Sequence, residues 1–237
     1  MKETNDEGTV QKILTAQFNR KTFLKYSAIA GSTMAIGLEA CHKDDNPSMS
    51  NGTVDVGSGD TGILNFAYAL EQLEAAFYIQ VNASMYSGAT NEEKQILADI
   101  MNHEIAHRDF FKAALGSSAI MQLQVDFSKI DFTSRASVLG TAKALEDTGV
   151  SAYNGAGQYI MKGDYLTLAG KIVSVEARHA AAIRDLLNPK SASFAGDDVV
   201  DPTTGLDFSR TPNAGSPSIV ATANTFLKTK ISATKLP

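Results

Sequence analysis

The feature that most limits the folds open to this chain is a set of metal-ligand residue types that occurs twice in the same order. Each half contains a Leu-Glu-x6-Tyr segment and, 30 to 33 residues after its glutamate, a Glu-x-x-His motif. The residues concerned are Glu71, Tyr78, Glu104 and His107 in the first half, and Glu146, Tyr153, Glu176 and His179 in the second. Four carboxylates and two imidazoles in this order predict a site for a pair of metal ions inside a four-helix bundle.

The apolar residues around these motifs recur with the period of an α-helix. Short connections join the predicted helices within each half, whereas residues 116–133 form a longer connection between the halves. This layout predicts an all-α fold, an antiparallel four-helix bundle over residues 61–188 with one long crossover. The predicted helices begin and end at Asp60 and Ser87, at Thr90 and Gly116, at Ser134 and Met161, and at Asp164 and Asn188.

The spacing places the candidate ligands on the inner faces of these helices. Residues three apart share a helix face, so the glutamate and histidine of each Glu-x-x-His motif converge on one point. Glu71 and Glu146 lie within apolar stripes and therefore also point inward. Tyr78 and Tyr153, two turns further on, either donate hydrogen bonds to ligand carboxylates or fill the core.

The charge of this set favours divalent metal ions. Four buried carboxylates would be very costly on their own, because each loses its hydration. Two divalent cations neutralise all four. Oxygen and imidazole donors without thiolate suit iron or manganese, so we expect two Fe or two Mn ions as the cofactor.

Three further residues with side chains that could bind a metal have other interpretations. Glu74, one turn after Glu71, could replace it as a ligand, although the equivalent position in the second half is Gly149. His103 is expected to be a surface histidine that points away from the site. His42 lies outside the predicted bundle.

The composition excludes several classes of protein and site. The chain has 237 residues and a net charge of −5, and it contains no basic stripe to neutralise phosphates, which argues against a nucleic-acid partner. Its single cysteine, Cys41, excludes an internal disulfide framework and a thiolate metal cluster. A built-in rubredoxin-type iron site is excluded for the same reason, so electrons must come from elsewhere.

Residues 1–41 have the order of an export signal. A basic patch at Arg20 and Lys21 precedes a short apolar run that ends near Cys41. The patch resembles a twin-arginine signal whose second arginine is replaced by Lys21, which leaves twin-arginine and general secretion both open. Residues 38–41 resemble a lipobox, at which a chain is cut before its cysteine and the cysteine is acylated. The alternative is an N-terminal helix with a buried free thiol.

The export signal predicts a location and a domain order. We expect an exported protein whose lipid on Cys41 anchors it to a membrane, in the periplasm or at the surface of a Gram-negative bacterium. Residues 42–60 are rich in glycine, serine and aspartate and are predicted to form a flexible tether. Residues 189–237 are predicted to be an irregular extension, with a short helix, packed on the bundle.

Residues 62–188 resemble the ferritin-like superfamily, which includes ferritins, bacterioferritins, rubrerythrins and manganese catalases. Residues 64–78, 102–111 and 175–179 resemble more narrowly an exported ferritin-like family that includes desiccation-related proteins. The ferritin-like pattern makes Glu104 and Glu176 bridging ligands and gives each metal ion one further glutamate and one histidine. Because superfamily members perform different reactions on the same ligands, the resemblance leaves the activity open.

The expected function is redox chemistry in stress protection, with oxygen or peroxide as a small partner. The reaction would be Fe(II) oxidation or peroxide removal. A non-catalytic stress-protection or binding module, in which the metals brace the bundle, is the rival hypothesis. A homo-oligomeric iron-storing cage is a third option, which a lipid anchor disfavours.

Overall fold

A computed structural model of the chain describes residues 49–50, 52–195, 198, 200 and 208–237. Four long helices make up most of this part. In chain order, the strands and helices are β1 Met49–Ser50, β2 Thr53–Asp55, α1 Gly59–Ala83, α2 Asn91–Leu115, α3 Arg135–Gly157, α4 Gly163–Leu187, α5 Ile219–Asn224 and β3 Lys230–Ser232. Short 3-10 helices follow α2 and α4, at Gly116–Ser118 and Ala192–Ala195.

The four long helices form two hairpins that pack into one bundle. Helix α1 packs most extensively against α2, and α3 against α4, while α1 also contacts α3 and α2 contacts α4. The connection between α2 and α3 is much longer than those inside the hairpins. This confirms the predicted all-α bundle with one long crossover. Within the described residues, no helix combines the length and apolarity that a membrane crossing needs.

The start of α2 follows its local sequence signal. The Thr90 hydroxyl accepts a hydrogen bond from the Glu93 amide at 3.1 Å, and the Glu93 carboxylate accepts one from the Thr90 amide at 2.8 Å. This reciprocal pair satisfies two backbone donors that would otherwise lack partners, as the predicted capping box requires.

The start of α1 and the end of α3 both differ from the prediction, and the side chain of Asp60 connects the two places. Helix α1 begins at Gly59, so Asp60 lies inside its first turn instead of capping it. The Asp60 carboxylate accepts hydrogen bonds from the amides of Met161 and Lys162, at 2.8 and 3.0 Å. Helix α3 accordingly ends at Gly157, before Met161, and the turn to α4 is held against the start of α1.

Two buried amide side chains of α1 hold the crossover in place. Asn65 accepts a hydrogen bond from the Ile120 amide at 2.9 Å, and Gln72 accepts one from the Leu123 amide at 2.8 Å. Further along, the Phe77 ring lies 6.0 Å from those of both Phe127 and Phe132. The crossover therefore covers one side of α1, with polar contacts at Asn65 and Gln72 and aromatic contacts at Phe77.

Part of the segment predicted to be a tether is instead a strand. Strand β2 pairs in parallel with β3, with Val54 opposite Ile231, and it pairs antiparallel with β1. Val54 is 2% exposed and Val56 is fully buried. The prediction of a flexible tether across residues 42–60 is therefore wrong for its C-terminal part, because these alternating valines face the core. Cys41 and the export signal lie outside the described residues, so the lipid anchor stays a prediction.

The C-terminal extension approaches α3 closely at one glycine. The amide of Arg210 donates a hydrogen bond to the Ser151 carbonyl at 3.0 Å. A Cβ atom at Gly155 would lie only 1.9 Å from the Arg210 carbonyl oxygen. Glycine at position 155 is thus what lets the extension lie directly on the helix.

A buried arginine links α4 to α3. Arg184 is 1% exposed and donates to both carboxylate oxygens of Asp147, at 2.9 and 2.6 Å. It also donates to Asp198 at 2.7 Å. This guanidinium therefore ties the second hairpin together and holds one point of the extension beside it.

Replacing Arg184 by leucine is expected to lower the free energy of unfolding by about 2 kcal/mol, because Asp147 loses a bidentate partner. The expected loss of stability is smaller than for a fully buried pair, because both aspartates keep contact with water. Denaturant unfolding measures the change. Arg178→Leu is the matched control, because Arg178 is exposed on the same helix and, among the described residues, its side chain hydrogen-bonds to Ser174 alone. Equal effects of the two substitutions would contradict the prediction.

Candidate metal centre

The six predicted ligands meet in the middle of the bundle, in two groups. Within each group, donor atoms from the four residues all lie within 4.8 Å of one another. Glu104 and Glu176 belong to both groups, which is the arrangement expected of bridging ligands. The first group adds Glu71 and His107, and the second adds Glu146 and His179.

Every ligand side chain presents buried atoms that make no hydrogen bond. The Nδ1 atom of His107 lies 2.7 Å from a Glu176 oxygen, and that of His179 lies 2.7 Å from a Glu104 oxygen, but neither contact has hydrogen-bond geometry. Leaving such atoms without a partner is costly, so a cation or protons must compensate them. The unpaired atoms are Oε2 of Glu71 and Glu146, both oxygens of Glu104 and Glu176, and Nδ1 of His107 and His179. This donor set suits two divalent ions.

Without a cation, the cluster holds protons. Burial alone lowers the pKa of His179, but the facing carboxylates of Glu104, Glu146 and Glu176 outweigh it and raise the pKa to about 12. Burial raises the pKa of Glu146 to about 8. The contacts with both imidazoles overcome the burial of Glu104 and lower its pKa to about 2. Metal binding must therefore displace protons from the histidines.

The two tyrosines bind the outer carboxylates across the halves of the chain. The Tyr78 hydroxyl donates to Oε1 of Glu146 at 2.5 Å, and the Tyr153 hydroxyl donates to Oε1 of Glu71. Burial, followed by the charge of the glutamate it contacts, raises the pKa of each tyrosine, so both remain hydrogen-bond donors. Glu71 and Glu146 thus each have Oε1 held by a tyrosine, which leaves Oε2 available to the candidate ligand group.

His103 is exposed, as the sequence predicted, but the prediction that it points away from the site is wrong. Its Nδ1 lies 2.8 Å from Nε2 of His179, and the two rings are stacked with centroids 5.1 Å apart. Because Nδ1 of His179 faces the carboxylates, a His179 that held a metal ion through Nδ1 would carry its proton on Nε2 and would donate it to His103. The helix period offered a signal, since His103 lies four residues before His107 and close to the same face.

Replacing His103 by leucine is expected to weaken binding of the metal ion held by His179 by about 10- to 100-fold, because the ligand loses the partner that fixes its tautomer. Anaerobic titration with Mn(II) should then resolve one weakened and one unchanged site. Asn102→Leu, at the adjacent exposed position, is the control and should leave both affinities as they were. Equal weakening of both sites would argue against this role for His103.

Glu74 is a further buried carboxylate that belongs to neither group. It is 2% exposed, its Oε2 has no hydrogen-bond partner, and a Cβ at Gly149 would lie 3.0 Å from its Oε1. Burial, and then the negative charge of Glu104, raises its pKa well above the usual range. The structure therefore brings Glu71, and not Glu74, into the metal group, while Gly149 leaves room for Glu74.

The sequence matches a known family over the region that holds this centre. The profile of the ferritin-like domain matches residues 59–189, which include all four long helices and all six residues of the metal groups. A comparison with curated proteins finds no matching relative. Because the match covers more than half of the chain, the chain belongs to the ferritin-like domain family.

Proposed function

We propose that the protein holds two iron or two manganese ions at this centre and uses them in redox chemistry with a small oxidant. The observation that carries the proposal is the set of unpaired donor atoms, divided into two groups that share Glu104 and Glu176. The donors are oxygen and imidazole nitrogen, which are common ligands of redox-active iron and manganese. The biological role would be iron oxidation or peroxide removal in stress protection.

Two divalent ions held by these six residues would supply the two electrons that reduction of one hydrogen peroxide molecule to water requires. The four glutamate side chains are fully buried, so bulk water is excluded from their surroundings. The side chain of His107 is 13% exposed and lies at the edge of the centre.

Elemental analysis of the full chain, purified from cells supplied with iron, manganese and zinc, tests the proposal. We expect about two iron or manganese ions per chain, and a loaded protein that oxidises Fe(II) with oxygen or consumes peroxide. A full complement of zinc or of redox-silent metal would instead favour the stress-protection module with structural metals. Absence of bound metal would overturn the metal centre itself.

We also propose that the protein is exported, like the family that its sequence resembles, which includes desiccation-related proteins. We further propose that a lipid on Cys41 anchors it. The support is the order of basic, apolar and lipobox-like residues in positions 1–41. In a Gram-negative host, Cys41→Ser is expected to prevent incorporation of labelled fatty acid and to move the protein from the membrane fraction to the soluble fraction. Equal labelling of the wild type and the variant would exclude acylation at Cys41.

A further inference from the structure

A small apolar cavity lies against Tyr153, on the side of the metal centre toward the start of α1. Its volume is about 20 Å³, and all four long helices contribute to its walls. The lining side chains are apolar except for Tyr153, whose hydroxyl already donates to Glu71. The cavity is therefore separated from a ligand carboxylate by one aromatic side chain.

The walls of the cavity make it a poor site for water. A cavity of about 10–15 Å³ can hold one water molecule, but a buried water needs two to four polar partners. Leu70, Phe111 and Ala156 supply none, and the one hydroxyl is occupied. Apolar sites of this kind accept small apolar molecules such as xenon.

The other side of the centre is packed differently. Beside Tyr78, the ring of Phe77 lies 5.2 Å from the tyrosine ring and 6.0 Å from those of Phe127 and Phe132 in the crossover. Among the described residues, Tyr153 has one aromatic neighbour, Phe111, whose ring lies 6.4 Å away, and it also borders the cavity. The surroundings of the two tyrosines therefore differ, although the ligand residues of the two halves match.

We propose that this cavity binds dioxygen and supplies it to the metal centre from the side of Tyr153. The proposal rests on the redox function proposed above and adds a binding site and a choice of oxidant. Dioxygen is small, uncharged and without hydrogen-bond donors, so the apolar walls suit it. Hydrogen peroxide donates and accepts hydrogen bonds, and it would lose those bonds in this cavity.

Gly157 offers a way to fill the cavity from one position. It lines the cavity, and a Cβ atom added there would meet no other atom within 4 Å. Because Gly157 is a half-buried wall residue, we expect the ring of Gly157→Phe to reach into the cavity and Gly157→Ala to leave most of it open. Gly140→Phe is the matched control, because Gly140 is exposed on the same helix and its added Cβ also meets nothing within 4 Å.

Xenon binding to the full-length chain tests the cavity without any redox reaction. Crystals under xenon pressure should show one xenon atom against Tyr153 in the wild type, Gly157→Ala and Gly140→Phe, and none there in Gly157→Phe. A wild-type cavity without xenon would overturn the proposal. Thermal unfolding of each variant checks that loss of xenon does not reflect loss of the fold.

Oxidation of bound Fe(II) then tests the choice of oxidant. Gly157→Phe should slow the reaction with dioxygen by about tenfold or more and leave the reaction with peroxide within about twofold of the wild-type rate. Equal slowing with both oxidants, or an unchanged rate with dioxygen, would overturn the dioxygen role. If neither oxidant reacts with the loaded wild type, the proposed redox function fails together with that role, while xenon still decides whether the cavity binds apolar molecules.

Discussion

Replacing Glu104 by glutamine is expected to remove both metal ions from the protein, because its carboxylate belongs to both ligand groups. Glutamine keeps the size of the side chain but removes the charge and one metal-binding oxygen. Each ion would lose a bridging ligand, and the release of one ion would also deprive the other of its neighbouring ion. Elemental analysis after purification should fall from about two ions per chain to near zero, and redox activity should disappear with the metal.

Comparison with other glutamates separates this effect from a general loss of charge. Glu71 belongs to one group only, so Glu71→Gln is expected to release one ion and keep the other. Glu92 lies exposed in α2, and Glu92→Gln should change nothing. If Glu104→Gln and Glu71→Gln lost the same amount of metal, the shared position of Glu104 would have no functional meaning.

Metal-free protein is expected to become less stable as the pH rises from about 6 to 8, whereas stabilisation by metal should grow over the same range. The imidazole of His179, with a folded pKa of about 12 against an ordinary 6.5, stabilises the fold fully below pH 6.5 and loses that contribution toward pH 12. The pKa of Glu146 is raised from 4.5 to about 8, so this carboxyl also makes the fold less stable as the pH rises between those values. The pKa of Glu104 is lowered from 4.5 to about 2, so this carboxylate stabilises the fold above pH 4.5 and loses that effect only as the pH falls toward 2.

Metal reverses this dependence because it binds the deprotonated ligands. If each ion displaces one histidine proton, the affinity for the pair rises by up to about 100-fold per pH unit. Denaturant unfolding at about pH 6, 7 and 8, with a chelator and then with excess Mn(II), measures both slopes. Parallel slopes in the two conditions would show that the histidines already lack their protons before metal binds.

The helices and the convergence of the six candidate ligands could be predicted because both depend on local spacing. The helix period alone directs Glu104 and His107 to the same point, and repetition of the pattern in the second half makes a coincidence improbable. The crossed tyrosine contacts depend on how α1 lies against α3, which no local pattern specifies. The same limit applies to His103, whose partner His179 comes from another helix.

Strand β2 was missed for a different reason. The alternating Val54 and Val56 are a strand signal, but it is too short to outweigh the glycines and serines around it, which favour a linker. The strand forms because β3, near the other end of the chain, supplies its hydrogen bonds. Pairing over such a separation leaves no trace in a short sequence window.

The same pairing also orders events during synthesis. All four long helices lie between β2 and β3 in the chain, so the two strands cannot meet until β3 has been synthesised. Each hairpin has mostly local contacts and can form earlier, because closing a short loop loses less entropy. Contacts made after the rate-limiting step mainly govern how fast a protein unfolds. We therefore expect the pairing of β2 with β3 to form after the hairpins and to affect the rate of unfolding more than the rate of folding.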